Sequence, residues 1–438
     1  MKKITAKFGG SSLADAVQFK KVADIIKSNN ARRYIVASAP GKRYSDDIKV
    51  TDLLYRCYDE AVAGKDYNAS FDAVKKRYGE IINDLGINFS LDPDFDEIAK
   101  VLAAAPARDY LASRGEYLNS KLLAAYLGFE FIDPAACIFF DAQGNYDSER
   151  SNRVMEELFD KTEYAVVAGF YGSKPDGSIE TFSRGGSDLT GAIVARASMS
   201  DLYENWTDVS GVLMTDPRIV ENPRTIEYIS YSELRELSYM GASVMHEAAV
   251  FPVSKAGIPI NIKNTNEPSA PGTMIVPSLP KAMKLKHITG IAGSKGFSGI
   301  QIEKSLMNEE VGFGAKLMNL LADYGIPFEH CPTGIDTMSV LVESKYLSRN
   351  REALLNAIEN TLAPDMLFVE EGIALIAIVG HGMAYSPDVY ANILKAVADA
   401  GIDLRLIDLG SSKLNLIIGV DEADYENAVR AIYDNVRQ

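Results

Sequence analysis

Residues 315–326 of this 438-residue chain read AKLMNLLADYGI, and 76 positions further on, at 391–402, the chain reads ANILKAVADAGI. At the same offset Gly334 is answered by Gly410. Each copy runs from helix-spaced apolar residues through "GI" into an apolar run, MSVLVE at 338–343 and LNLIIGV at 414–420, and then into a second helical pattern. The last third is therefore two copies of one small α+β unit, a module apart from what precedes it. Such a fold does not by itself assign a task, so a dimerisation element and a ligand-binding module both stay open.

The first 280 residues carry a different rhythm. Short apolar runs end in polar loops, as in YIVAS at 34–38, YAVVAGFYG at 164–172, DLYENWTD at 201–208 and IPINIKNTNEP at 258–268. Helical segments lie between them, among them 51–64, 120–127 and 188–197. Strands alternating with helices predict a parallel sheet covered by helices. In such sheets ligands bind beyond the carboxyl ends of the strands, where loops distant in sequence converge.

Two glycine loops suit an anion, and a third polar loop suits a nucleotide's outer parts. KFGGSSL at 7–13 places Lys7 and two glycines between a strand and a helical pattern, where helix-start N–H groups favour phosphate. Neither GxxxxGK[ST] nor GxGxxG is present, so a nucleotide here belongs to another fold. TFSRGGSDLTGA at 181–192 adds a second glycine pair with Arg184 as a bidentate cation and Asp188 as a carboxylate. WTDVSGVLMTDPR at 206–218 supplies Thr207, Asp208, Asp216 and Arg218, and is too long and polar for a tight connector.

Sixty acidic against 45 basic residues give a net charge of −15, which argues against nucleic-acid or anionic-membrane partners. No apolar run approaches the roughly 20 residues that span a bilayer, and the start lacks a signal-peptide pattern. Cys57, Cys137 and Cys331 are few, odd in number and far apart, so a reducing cytoplasm is expected. His246, His287, His330 and His381 show no metal-ligand spacing.

KFGGSSL, GEYLNSKLLAAYL, GFYG, FSRGGSD, WTDVSGVLMTDPR, GASVMHEAA and IKNTNEPSAPGTMI occur in an order and spacing that resemble the aspartate kinases of the amino-acid kinase superfamily. The resemblance spans the chain. It implies a three-layer, parallel-sheet α/β kinase domain over 1–280, followed by two α+β, ferredoxin-like ACT domains over 285–367 and 373–438. It further implies ATP with Mg²⁺ as phosphoryl donor and L-aspartate as acceptor, the metal coming with ATP rather than on protein ligands. The end at residue 438 leaves no room for an appended dehydrogenase, so a monofunctional kinase is expected.

Residue roles follow motif by motif. Lys7 resembles the lysine that stabilises the transferring phosphoryl group, with Gly9, Gly10 and Ser11 around the nucleotide phosphates. Asp188 resembles the aspartate that orients the site. Glu116 resembles the carboxylate that receives the substrate α-ammonium and Arg184 the arginine that clamps a substrate carboxylate. Ser38, Phe170 and Ser187 complete the substrate set with Thr51, although an insert, PGKRYSDDIKV, separates Thr51 from Ser38. Thr207, Asp208, Leu213, Asp216 and Arg218 resemble the ATP loop. Leu213 stands where most relatives carry tyrosine, Ser243 where they carry lysine, and Lys413 where they carry glutamate, so ATP contacts near the first two are expected to differ.

The paired ACT domains imply a homodimer or larger assembly and an amino-acid effector. Met307, Gly312 and Phe313, with Phe328, Glu329 and Thr333, resemble the effector pocket of lysine-sensitive relatives. Glu309, Glu310 and Glu329 suit an effector with two ammonium groups, which favours lysine over threonine. Two other readings remain: a catalytically silent amino-acid sensor, and a kinase for glutamate, whose extra methylene is worth only about 1–3 kcal/mol in a pocket.

Overall fold

The computed structural model describes residues 2–437 except 105, 184, 243, 244, 246, 280–287, 411 and 412. The chain forms two compact units, the first made of Met1–Val212, Thr225–Tyr231 and Ser243–Leu279, the second of Leu213–Arg224, Ser232–Ala242 and Pro280–Gln438.

In the first unit the strands are β1 (Ile4–Phe8), β2 (Arg32–Ala37), β3 (Glu130–Ile132), β4 (Ala165–Ala168), β5 (Tyr171–Ser173), β6 (Ile179–Thr181), β7 (Leu202–Thr207), β8 (Tyr228–Ser230), β9 (Ile260–Asn264) and β10 (Thr273–Val276). The helices are α1 (Ala16–Lys27), α2 (Val50–Val62), α3 (Asn68–Leu85), α4 (Asp92–Ala104), α5 (Arg108–Leu127), α6 (Ser148–Phe159), α7 (Gly186–Ala197), α8 (Tyr231–Tyr239, most of it grouped with the second unit) and α9 (Glu247–Ala256). An eight-stranded sheet runs β3-β4-β2-β1-β7-β9-β10-β8, and β5 pairs with β6 as a hairpin. The strands from β3 to β9 are parallel; β10 runs antiparallel to β9 and parallel to β8.

The period-2 alternation of a strand sorts side chains between the two helical layers. On β2, Ile35 and Ala37 join Phe8, Phe19, Leu54, Tyr78, Leu118 and Trp206 in one core layer. Tyr34 and Val36 join Met155, Phe159, Val167, Ile193 and Val194 in the other. Both faces of β1 are covered, so all five of its residues are buried. Ala6 and Phe8 face the first layer, which leaves Lys7 on the α7 side.

From β1 the chain moves to β2 on one side and, much later, returns at β7 on the other. The ends of β1 and β7 thus flank the topological switch point, where a parallel sheet opens a crevice.

The second unit holds the repeat. Its strands are β11 (Gly290–Glu303), β12 (Phe328–His330), β13 (Thr337–Glu343), β14 (Met366–Val379), β15 (Leu406–Leu409) and β16 (Asn415–Asp421), with helices α10 (Phe313–Asp323), α11 (Ser344–Leu362), α12 (Pro387–Asp399) and α13 (Tyr425–Val436). One antiparallel sheet runs β12-β13-β11-β14-β16-β15. The glycines of the two "GI" pairs, Gly325 and Gly401, have φ of 66° and 72°, the left-handed conformation that closes a helix end cheaply only for glycine.

The two copies are not side by side in chain order. Gly290–Ser294 of β11 pair with Leu375–Val379, while Phe297–Glu303 pair with β13 as well as with the first part of β14. The Tyr425 hydroxyl of α13 donates to Gly293 O at 2.8 Å, so the start of β11 packs with the second copy and its end with the first.

Candidate active site

The β1–β2 ladder is parallel and the β1–β7 ladder sets Lys7 directly beside Asn205. Both side chains face α7. Asp188 sits in the first turn of that helix and meets Lys7 Nζ at 2.5 Å, while Asn205 Nδ2 donates to Asp188 Oδ1 at 3.0 Å. Lys7 Nζ also reaches Asn205 Oδ1 at 3.4 Å. A buried ammonium is thereby aimed and held at the switch point by an aspartate and an amide. Asn205 escaped the sequence reading because LYENWT reads as an apolar strand. The one available signal was a polar residue at an inward position of that strand.

The two glycines next to Lys7 act in separate ways. A Cβ on Gly10 would stand 2.8 Å from Ala39 O, so only glycine lets the turn touch the loop after β2; Gly41 N donates to Gly10 O at 2.8 Å from the other side. Gly9 has an ordinary φ of −72°, and a Cβ there would stand 3.6 Å from Lys7 Nζ. Its missing side chain leaves the approach to the ammonium clear. The expected helix start is not at this turn: a short 3-10 turn, Gly10–Leu13, comes first, and α1 is capped by Asp15, whose carboxylate accepts from Gln18 N at 2.9 Å. Ser11 is exposed at the turn, and the buried hydroxyl of Ser12 bonds Thr265 Oγ1 at 2.8 Å.

Across the crevice lies Glu116, on α5. Gly115 packs so closely on Ala39 that a Cβ would stand 2.7 Å from the alanine methyl and 3.7 Å from Thr51 Oγ1. Thr51, near the start of α2, thus sits beside Gly115, the residue before Glu116, in spite of the insert. Burial pushes the Glu116 carboxyl up to about 8, against the opposing effects of the Ala39 backbone N–H and the Lys7 charge. Ser38 N donates to Phe8 O at 3.1 Å, and Ser38 O accepts from Asn119 Nδ2 at 2.6 Å.

The loop carrying Ser38 and Ala39 is itself held from below. Arg77 of α3 is buried, bonds both oxygens of Asp47 at 2.8 and 2.6 Å, and donates to Gly41 O at 3.0 Å. Hydrogen bonds from Arg43 and the charge of Arg77 hold the Asp47 carboxyl far below its ordinary value.

The third wall comes from β4 and α7. Phe170 has φ of 83°, rare for a non-glycine residue, and its N–H donates to Thr190 Oγ1 at 3.0 Å. Gly169 and Gly186 make that bend possible, since a Cβ on the former would stand 2.5 Å from Ser187 Oγ and on the latter 2.5 Å from the Phe170 ring. Next to Phe170, the Tyr171 ring stacks with the Arg114 guanidinium at 5.4 Å, and Tyr110 and Tyr117 cover the same cation at 4.5 and 4.3 Å. Arg184 lies outside the described residues, as do Ser243, His246 and His287.

Thr207 ends β7 and its hydroxyl donates to the next residue, Asp208, at 3.1 Å, while Thr207 O accepts from Thr265 N at 2.8 Å. Leu213, Asp216 and Arg218 fall in the segment grouped with the second unit, where Arg218 grips Asp216 at 2.6 Å and stays largely exposed.

In the second unit, Met307 and Phe313 are buried at the approach to α10, Gly312 precedes that helix with φ of 88°, and Phe328 is exposed on β12. Thr333 is exposed and its hydroxyl donates to Cys331 O. Glu310 is not free for an ammonium ligand: Lys304 and Lys316 hold it at 2.6 and 2.7 Å and draw its carboxyl below the usual range. Glu329 accepts from the Tyr239 hydroxyl at 2.5 Å. His330, at one edge of the sheet, meets Asp408, at the other, at 2.7 Å, so the six strands curl until their edges touch. Among the described residues no group of three His, Cys, Asp or Glu could hold a metal ion, and no helix is long and apolar enough to cross a membrane.

A sheet that opens at its switch point onto a lysine, two glycine turns and a buried carboxylate, followed along the chain by a duplicated α+β module, has the architecture of the small-acid kinases that carry a second, duplicated module. Residues 2–264 match the model of the amino acid kinase family, and residues 376–436 match an ACT domain. Aspartokinase 3 of Bacillus subtilis is 38% identical over 98% of this chain and 97% of its own. The solved structure of Clostridium acetobutylicum aspartate kinase is 48% identical, covers 99% of this chain and 100% of its own, and superposes with a TM-score of 0.93. The lysine-sensitive aspartokinase 3 of Escherichia coli is 26% identical over 99% of both chains. The chain belongs to the aspartate kinases of the amino acid kinase family.

Proposed function

We propose that this chain transfers the γ-phosphoryl group of ATP to the β-carboxylate of L-aspartate, giving 4-phospho-L-aspartate and ADP, the step that opens the route to lysine, threonine and methionine. The observation that carries this reading is the buried Lys7–Asp188–Asn205 network between the glycine turn and Glu116. A carboxylate oxygen attacks the γ-phosphorus, the new O–P bond forms, and the bond to the β,γ-bridging oxygen breaks with its electrons leaving on ADP. The nucleophile is already ionised at neutral pH, so no strong base is needed. Alignment and charge neutralisation suffice. Lys7 supplies the cation at the phosphoryl group, and Asp188 and Asn205 fix its direction. Glu116 takes the substrate ammonium, Arg184 the α-carboxylate, and Ser38, Thr51, Phe170 and Ser187 line the pocket. Gly9, Gly10, Ser11, Thr207, Asp208, Leu213, Asp216 and Arg218 attend ATP, which brings Mg²⁺ on its phosphates.

The reading extends to control and setting. Kinase residues 1–280 and ACT residues 285–367 and 373–438 form the functional blocks, the ACT pair joins copies into a dimer or larger assembly, and the enzyme works in the cytoplasm. Lysine inhibits by binding near Met307, Gly312, Phe313, Phe328, Glu329 and Thr333. The name of the Escherichia coli relative supports lysine; the engagement of Glu310 by two lysines removes one of the three carboxylates that favoured it over threonine.

One assay tests the whole reading: ADP release with L-aspartate or L-glutamate, then with lysine or threonine added at sub-saturating substrate. Aspartate-dependent turnover is expected, with glutamate far weaker and lysine inhibitory. Preference for glutamate would reassign the acceptor, and no turnover at all would leave an amino-acid sensor. Inhibition by threonine alone would reverse the effector.

A further inference from the structure

Positions 116, 119 and 120 of α5 are i, i+3 and i+4, so they share one face of the helix. All three carry buried polar side chains, with Glu116 6% exposed and Asn119 and Ser120 0%. Glu116 Oε2, Asn119 Oδ1 and Ser120 Oγ have no hydrogen-bond partner. Buried polar atoms are almost always satisfied, so three orphans on one helical face mark a place built for something else.

The loop after β2 fixes the second of these side chains, since the Ser38 carbonyl accepts from Asn119 Nδ2 at 2.6 Å. The Glu116 carboxyl lies near enough to the Ala39 N–H and the Lys7 charge for both to oppose the larger effect of its burial. A carbonyl can only accept, so the nitrogen of the Asn119 amide must face Ser38 and Oδ1 must face away. Two oxygens on this face of α5 are left unpaired: one from a carboxylate, one from an amide. With Glu116 ionised, both can only accept. An anion there would be repelled, whereas a primary ammonium brings three N–H donors and no acceptor.

We infer that Asn119 is a further substrate-binding residue, its Oδ1 accepting an N–H of the amino-acid substrate's α-ammonium beside Glu116. The inference rests on the aspartate kinase reading. It gives Asn119 two jobs, one at each end of its amide: Nδ2 ties α5 to the loop after β2, and Oδ1 recognises the ligand. The Ser120 hydroxyl, free to rotate, lies on the same face.

The test compares a ligand that has the ammonium with one that lacks it. Succinate carries both carboxylates of aspartate and no ammonium, and its inhibition constant against aspartate reports the rest of the pocket. Wild-type ADP release with aspartate is measured first; without it the kinase reading fails together with the inference, whatever Asn119 does. With turnover established, Asn119→Leu should raise the aspartate KM roughly tenfold to a hundredfold, as loss of a charged hydrogen bond does. The succinate constant and the ATP KM should stay within about twofold, a split that a merely structural contact would not produce. A parallel rise for aspartate and succinate would show that Asn119 only holds the loop, and unchanged constants would show that it touches no substrate; either overturns the inference with the kinase reading intact. Asn119→Ala, read by the same ratio, serves if the leucine variant does not fold.

Discussion

Glu116 is buried where its proposed function needs it charged. Its carboxyl titrates near 8 in the folded chain against 4.5 for an ordinary glutamate, chiefly through burial. Between those values the folded chain holds a proton that the unfolded chain has released, so this group costs stability progressively as pH rises from 4.5 to 8. Glu116→Gln keeps the shape without the charge and should melt above wild type at pH 8 in the absence of substrate, a gap that closes toward pH 4.5. Binding runs the other way. In the proposed site the ammonium of aspartate pairs with the carboxylate form, so the wild-type KM for aspartate should fall about tenfold per pH unit up to 8 and then level. The glutamine variant should show a high KM with no such slope; a flat wild-type profile from pH 6 to 8 would remove Glu116 from the ammonium site. Lys7, Glu116 and Asp188 were legible because each stands in a motif. Asn205 was not, because its partners are 198 and 17 residues away and only the register of β1 against β7 puts it beside them.

The two glycines of KFGGSSL look alike in sequence and act differently as parts of a turn. Gly10 meets backbone, Ala39 O and Gly41 N, so Gly10→Ala forces two loops apart and should cost about 1–3 kcal/mol of stability, read as a lower denaturation midpoint. Gly9 meets the flexible end of Lys7 and one carbonyl at ordinary contact distance. Gly9→Ala should leave stability within about 0.5 kcal/mol and lower kcat, because its methyl would stand where the proposed reaction brings the phosphoryl group to Lys7. Loss of stability with kcat unchanged would reverse that division. Glycine between strand and helix announced a close approach in the sequence, though not to what. The same limit applies to α3, whose Phe71, Val74, Tyr78 and Ile81 are spaced for a helix with one buried face. No spacing rule says that the helix also carries Arg77 beneath the loop after β2.

At the scale of the whole chain, the repeat foretold two copies of one unit but not how they are joined. β11 lends its beginning to the second copy and its end to the first, and that exchange pairs residues about 85 apart, beyond the reach of any local pattern. Ile291 N donates to Met214 O, so the next amide along the strand, that of Ala292, points toward β14. Ala292→Pro removes that donor from an interior strand and should loosen β14 and β16. Hydrogen exchange would then quicken at 373–379 and 415–421 while 297–303 and 337–343, close by in sequence, stay protected; equal quickening in both sets would mean that the shared strand does not divide as its pairing suggests. The sharing also bears on descent. A duplicated module whose copies each fold alone can shed one of them and go on working. Here either copy, once deleted, takes a strand of the other with it, so a lineage that had made this duplication had no short way back to a single one.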